Sequence, residues 1–316
     1  MYGRFLVLFA LMATGYILAK KKVFDSNSTH AINKFIVYFA YPCLVVQKIS
    51  ALEMEKSTFI DFIITLVLST LLLYLGYGIS YLYGKARKLP RENANVAEFA
   101  MASPNDGFMG FPVALLFFGD MGLLFMLAHN SALNLYFFTL GISMMKRNKE
   151  DKQGMTISSV LKAMANLIMN PNILALIAGL VLCGSGIKLP TPLNDYFLYV
   201  GNVATPMAMI YIGTSLSKSN FIEIIKDKRI VECSLMKLIW LPLITYGIMM
   251  FMPVSNLIKI TCILGSCFPT AATVPMLAEQ EQQDSRLGSE ILFLSTIFSA
   301  LTIPLAIQLI KMFIAN

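Results

Sequence analysis

The sequence predicts an all-α polytopic membrane protein, with ten transmembrane helices in two inverted five-helix repeats and broken fourth and ninth helices that cross. Three observations predict this fold. Of the 316 residues, 57% are hydrophobic and only 14% charged, against about a quarter charged in soluble domains. Seven windows, 62–84, 121–145, 163–187, 196–217, 238–258, 260–278 and 291–310, contain no Asp, Glu, Lys or Arg, and a hydrocarbon core takes about 20 apolar residues to cross. Finally, helix-breaking prolines recur at matching places in the two halves.

Three shorter apolar runs, at 5–19, 35–47 and 93–119, complete the count. The expected spans are 4–22, 30–49, 57–84, 93–118, 121–145, 158–183, 193–217, 230–252, 256–279 and 286–314. The first, "RFLVLFALMATGYILAKKK", resembles a signal peptide, but its positive cluster follows the apolar run, so it reads as a retained span. With ten spans, the loops after the odd-numbered spans share one side. They hold sixteen Lys and Arg, from Lys20, Lys21 and Lys22 to Arg286, whereas the opposite side holds six. Basic residues in short loops stay cytoplasmic. The expected location is therefore the plasma membrane, with both termini extracellular and the lipid bilayer as the partner of the apolar surface.

The halves resemble each other at an offset near 164. Gly15 matches Gly179, Leu18 matches Leu182, and Pro42 in "FAYPCLV" matches Pro206 in "VATPMAM"; Pro104 pairs with Pro269 and Pro112 with Pro275. The expected units are 1–153 and 154–316, joined by the charged loop 146–154. Five is odd, so the halves lie upside down relative to each other, as in secondary transporters that hold substrate where broken helices meet.

The stretch "SPNDGFMGFPVALLFFG" (103–119) supplies the first break. Pro104 and Pro112 remove backbone donors, and Gly107 and Gly110 ease unwinding, giving expected half-helices at 93–103 and 111–118. "GSCFPTAATVPML" (265–277) supplies the second break around Pro269 and Pro275. Irregular backbone at membrane depth is tolerated only inside protein or beside a wet cavity. Two adjacent breaks meet that condition, and their helix ends suit an anion or an organic carboxylate.

"PNDGFMGFP" resembles the P-N-x-x-x-M-G-x-P stretch of the auxin efflux carrier family, which includes plant auxin transporters and bacterial malate or malonate permeases. "GNVATPMAMIYIGTSL" (201–216) and "CFPTAATVPMLAEQ" (267–280) are similar to that family's seventh and ninth spans. The resemblance implies a fold similar to bile-acid/sodium symporters and a homodimer. It also implies a scaffold of spans 1, 2, 6 and 7 and a moving unit of spans 3–5 and 8–10.

The expected substrate-binding residues are Asn105, Pro104, Gly107, Pro112, Pro269, Thr270 and Thr273 at the crossing. Asn130 and Asn134, one turn apart, and Tyr41 and Thr205, each preceding a proline, complete the set. Asn105 can donate an amide N–H to a carboxylate. Asp106 is the expected coupling-ion residue, because an ionisable group in a membrane is functional by default. It beside an anion site must be protonated, hold a cation, or point elsewhere; the ion would be H⁺ or Na⁺. His129 reads as a packed or interfacial residue, and Glu98 as a group reaching water at the cytoplasmic end. No Lys or Arg is expected at mid-span, which favours a monoanion over a dianion.

Enzyme chemistry is excluded on motif grounds. HExxH is absent and the histidines number two, His30 and His129. The five cysteines sit in apolar stretches without metal-ligand spacing and read as small core residues, so no metal and no cofactor beyond the coupling ion is expected. The net charge of +7 collects in short loops and is a topology signal rather than a nucleic-acid one. The expectation is a secondary active transporter of a small carboxylate working by alternating access, elevator-like and proton-coupled; a sodium-coupled symporter and an uncoupled carrier or channel are the rivals.

Overall fold

Proline placement governs how the helices of this chain form and bend. In the computed structural model, which describes residues 2–89, 91–145, 165, 168–217 and 221–314, the described residues are mainly helical. Among the described residues no strand forms, and one isolated antiparallel bridge joins Pro104 to Thr270. The expected 153/154 boundary and the 146–154 linker lie outside the described residues.

Helix α1 (Tyr2–Lys20) leads to α2 (Ser26–Phe35) and α3 (Tyr41–Ser50), which a π turn over 36–40 joins into one rod. Next come α4 (Lys56–Ala86), α5 (Arg91–Ala102), a π turn over 106–110, α6 (Phe111–Tyr136) and, after a further π turn, α7 (Ile142–Met145). The second half contains α8 (Pro171–Ser185), α9 (Thr191–Asn202), α10 (Ala204–Leu216), α11 (Phe221–Ile224) and α12 (Lys228–Leu235). It continues through a π turn over 236–240 to α13 (Leu241–Phe251), α14 (Asn256–Cys267), α15 (Thr273–Gln280) and α16 (Ser285–Phe313).

Three of the π turns end immediately before an X-Pro pair: Tyr41-Pro42, Phe111-Pro112 and Leu241-Pro242. Proline lacks the N–H that continues an α ladder, and its ring crowds the carbonyl four residues back. Widening the preceding turn relieves that clash, as Phe111 N–H bonding to Asp106 C=O illustrates. Residues 106–110 are therefore wound, not unwound as the sequence suggests, and the extended backbone is confined to 103–105. The expected boundary between the fourth and fifth spans falls at Gly119, whose φ of 67° and ψ of −160° interrupt α6.

Among the described residues, five helical stretches are long and apolar enough to cross a bilayer: Asn27–Ser50, Lys56–Ala86, Asp106–Met145, Lys228–Phe251 and Ser285–Phe313. Apolar side chains crowd the outside. Leu6, Leu82, Trp240, Phe251 and Leu301 are each more than half exposed, which water would penalise and lipid tails accept.

Packing sorts the helices into two groups. In one, α1 runs along α10 while α3 lies against α8 and α9; in the other, α4, α5 and α6 pack with α12 to α16. The first group is held at short range by small residues. A Cβ on Gly15 would fall 2.1 Å from the Ile210 carbonyl oxygen, and one on Gly213 would fall 1.9 Å from that of Met12. Backbones approach this closely only where both helices present glycine.

Candidate functional site

The crossing is where the two helix breaks meet. Pro104 cannot donate a backbone hydrogen bond and Pro269 cannot continue a helix, so both segments extend and pair with each other. Asn105 N–H donates to Pro269 C=O at 2.8 Å, and Ala271 N–H donates to Ser103 C=O at 2.9 Å. The Thr270 hydroxyl donates to Ala100 C=O at 2.9 Å, while Thr270 N–H donates to the Ser295 hydroxyl at 3.1 Å. This pairing supplies the partners that buried backbone requires.

Asn105 has two faces. Its Oδ1 caps the following turn by accepting from Phe108 N–H at 3.3 Å. Its Nδ2, on a residue only 3% exposed, has no partner in the protein. Buried amides are rarely left unpaired, so this group is available to a ligand. Asn105 lines a cavity of about 310 Å³ whose lining also includes His30, Asn33, Tyr211, Ser289 and Thr296. The mouth carries exposed His30 and Glu279, and no Lys or Arg lines the cavity among the described residues.

The helix bearing His30 and Asn33 is fixed at its start by Asp25. That carboxylate accepts from Ser28 N–H and from the Ser28 hydroxyl, both at 2.7 Å. These bonds hold it below the ordinary 3.8.

Asp106 turns away from the cavity. Its Oδ2 lies 2.7 Å from His129 Nδ1, and its fully buried Oδ1 has no partner. The His129 ring abuts Gly265 through its Nε2 end, where an added Cβ would approach within 2.4 Å of Nε2. Lys237, 2% exposed, donates from Nζ to Ser266 C=O at 3.1 Å. Two readings from sequence are corrected here. A lysine does reach the crossing, because the π turn over 236–240 carries it inward. His129 is packed, as read from the sequence, and in addition is a buried partner of Asp106. Glu98 is likewise buried, at 2% exposure, and does not reach water at a helix end.

A family model described as "Membrane transport protein" matches residues 1–307. The chain belongs to that family, the auxin efflux carriers. Its relatives match over nearly their whole lengths. An "Uncharacterized transporter" of Methanothermobacter thermautotrophicus is 26% identical over 95% of this chain and 95% of its own. A "Putative malonate transporter" of Rhizobium meliloti is 24% identical over 98% and 95%, respectively. The "Uncharacterized transporter YfdV" of Escherichia coli K12 is 23% identical over 98% of both. The family and these names point to a membrane transporter rather than an enzyme.

Of the residues expected at the carrier's site, the crossing brings together Pro104, Asn105, Pro269 and Thr270, with Gly107 in the π turn that follows and Pro112 at the start of α6. Tyr41 is buried edge-on to Phe111, its hydroxyl unpartnered, behind that turn. Thr273 is exposed at the start of α15, and Thr205 is half-buried near the start of α10; neither lines the cavity. Asn130 and Asn134 bond to each other, Nδ2 of Asn134 to Oδ1 of Asn130 at 3.1 Å, and Asn170 reaches Asn134 from the start of α8. They form a polar clasp apart from the cavity. Sequence reasoning missed Thr29, Asn33, Ser285, Ser289 and Thr296. The signal was present: Thr29 and Asn33, like Ser285 and Ser289, are spaced to share one helical face.

Proposed function

We propose that this membrane transporter is a secondary active carrier of a small organic carboxylate, working by elevator-like alternating access with proton coupling. The single observation carrying the substrate class is Asn105, whose Nδ2 has no protein partner, in the lining of a cavity that also presents Thr and Ser hydroxyls. An amide and hydroxyls hold a carboxylate by hydrogen bonds without a permanent cation. The name of the Rhizobium meliloti relative favours the same chemistry. A site without Lys or Arg in its lining suits one negative charge better than two.

The packing supports the two-unit reading, with α1–α3 and α8–α10 as scaffold and α4–α6 and α12–α16 as the moving unit. Gly15 and Gly179, matched in the sequence, each sit at a helix seam of the scaffold group: Gly15 on Ile210 and Gly179 on Ile49. At the same offset of 164, residue 49 corresponds to residue 213, where Gly213 packs on Met12 at the α1–α10 seam, which favours two inverted repeats and ten spans. Cavity residues Thr29, His30 and Asn33 follow the Lys20–Lys22 cluster, and Ser285 and Ser289 flank Arg286. By the distribution of basic residues the cavity opens to the cytoplasm and both termini are extracellular, in the plasma membrane.

The test is uptake of labelled malonate, and of a panel of short monocarboxylates, into proteoliposomes with an imposed pH gradient. Uptake of at least one carboxylate that falls tenfold or more in Asn105→Ala is expected, the loss of a hydrogen bond to a charged group. No uptake above protein-free vesicles for the entire panel would refute the substrate class.

A further inference from the structure

We infer that Asp106, His129 and Lys237 form one buried proton-binding unit, set behind the crossing, which neutralises the charge of an anion held at Asn105. The inference rests on the carrier reading above and assigns its coupling machinery.

The geometry sets three ionisable side chains from three different helical segments in one place. Asp106 follows Asn105 in the first break, His129 comes from α6, and Lys237 from the π turn before α13. Asp106 and His129 are in hydrogen-bond contact at 2.7 Å. His129 and Lys237 line one small cavity of about 30 Å³ together with Pro104, Thr245, Cys262 and Ser266, room for a single water. Lys237 Nζ has the Ser266 carbonyl oxygen as acceptor at 3.1 Å. That carbonyl belongs to the last turn of α14, just before the second break. A carboxylate and a carbonyl at a helix interruption are ligands a metal cation would take; here the protein supplies its own ammonium beside them.

Charge decides what such a unit does. With Asp106 ionised, Lys237 charged and His129 neutral, its net charge is zero. A proton added to the Asp106–His129 pair makes it +1, and an uncompensated charge at this depth is costly. A carboxylate at Asn105, one residue away, brings −1 and removes that cost. The proton comes from bulk water and no bond other than the N–H or O–H is made. Each ligand therefore favours the other equally, and the anion binds more tightly as pH falls.

The other titratable groups around the unit do not replace it. The Cys262 thiol faces the same small cavity and contacts the Ser69 hydroxyl at 3.7 Å. Cys267 lies beyond Ser266 on α14. Glu98 of α5 packs against Gly84 and has its own interactions.

The chain's two histidines make a direct test available. In a His30→Gln background, ¹⁵N-histidine NMR of the purified protein reports His129 alone. The expected result is one pH-dependent transition, which moves by about one pH unit or more in Lys237→Met and is restored by Lys237→Arg. Asp106→Asn abolishes or displaces it; if that variant fails to fold, Gly265→Ala pushes the ring off Asp106 and gives the same result. A His129 signal indifferent to Lys237→Met and to both other variants overturns the proposal. In the second arm, an inwardly directed proton gradient drives malonate into proteoliposomes of the native protein, and Lys237→Met loses that gradient dependence. Malonate uptake that ignores the gradient in the native protein overturns the coupling. Absence of uptake for every carboxylate, with the His129 response intact, refutes the substrate reading alone and leaves the proton-binding unit standing.

Discussion

The two breaks look equivalent in the sequence, yet the structure equips them differently. The second, around Pro269, is saturated: Thr270 donates through both its N–H and its hydroxyl, and Pro269 and Ala271 are tied to the facing backbone. The first, around Pro104, is left open. Asn105 Nδ2, Asp106 Oδ1 and the Ser103 hydroxyl are all buried without partners, in a protein whose buried polar groups are otherwise expected to pair. One segment acts as a strut and the other as the working edge. Buried polar atoms in surplus mark function; buried polar atoms in balance mark architecture.

The sharpest way to break this contrast is to truncate each polar residue in turn. Asn105→Ala removes the proposed ligand contact together with the Oδ1 cap on Phe108 N–H, so uptake per folded molecule falls tenfold or more and the melting temperature drops modestly as well. Thr270→Val separates the two effects. It deletes a buried hydrogen bond worth about 1 kcal/mol, lowering thermal stability in detergent while uptake per folded molecule persists. If the two variants behaved alike, the contrast would fail.

The prolines sharpen it further. Pro112→Ala restores an N–H four residues after Phe108, which allows the π turn over 106–110 to relax to α. Losing that extra residue rotates Asn105 and Asp106 by about 100° relative to α6. Uptake is expected to drop severalfold with the helix content unchanged in circular dichroism. Pro269→Ala leaves the Pro269 carbonyl bond to Asn105 in place, and uptake is expected to stay within about twofold. Equal losses would show that both breaks depend on proline for the same reason.

The smallest expected effect lies at the cavity mouth. The Asp25 carboxylate, held below its ordinary 3.8 by Ser28, stabilises the start of α2 fully above that value. That stabilisation is lost as pH falls through the lowered one. Hydrogen exchange of residues 26–33 is expected to quicken in Asp25→Ala at neutral pH, and to differ from native less at strongly acid pH.

Much of this was legible in the sequence. Charge-free windows located the apolar helices, and prolines located both breaks. Gly119 fell at the expected junction between 118 and 121. The shape of the first break was less legible, because a hydropathy profile carries no record of which carbonyl a given N–H selects. The π turns are visible only afterwards, through the X-Pro pairs that end three of them. Lys237 was missed for a related reason. Lys237 stands a third of the way into the expected span 230–252, short of its middle, and the widened turn over 236–240 buries it. His129 and Asp106 lie 23 residues apart on segments that only the tertiary fold aligns. Spacing arguments reach one or two turns along a helix and stop there.

The bridge between Pro104 and Thr270 has a consequence for how such a molecule diversifies. Its two clamping bonds, from Asn105 N–H and Ala271 N–H, are made by main-chain atoms that every non-proline residue possesses. Amino-acid exchange at these positions can rewrite which solute is gripped without cutting the knot that joins the segments. The junction is thus inherited as geometry, and selectivity is free to drift on top of it.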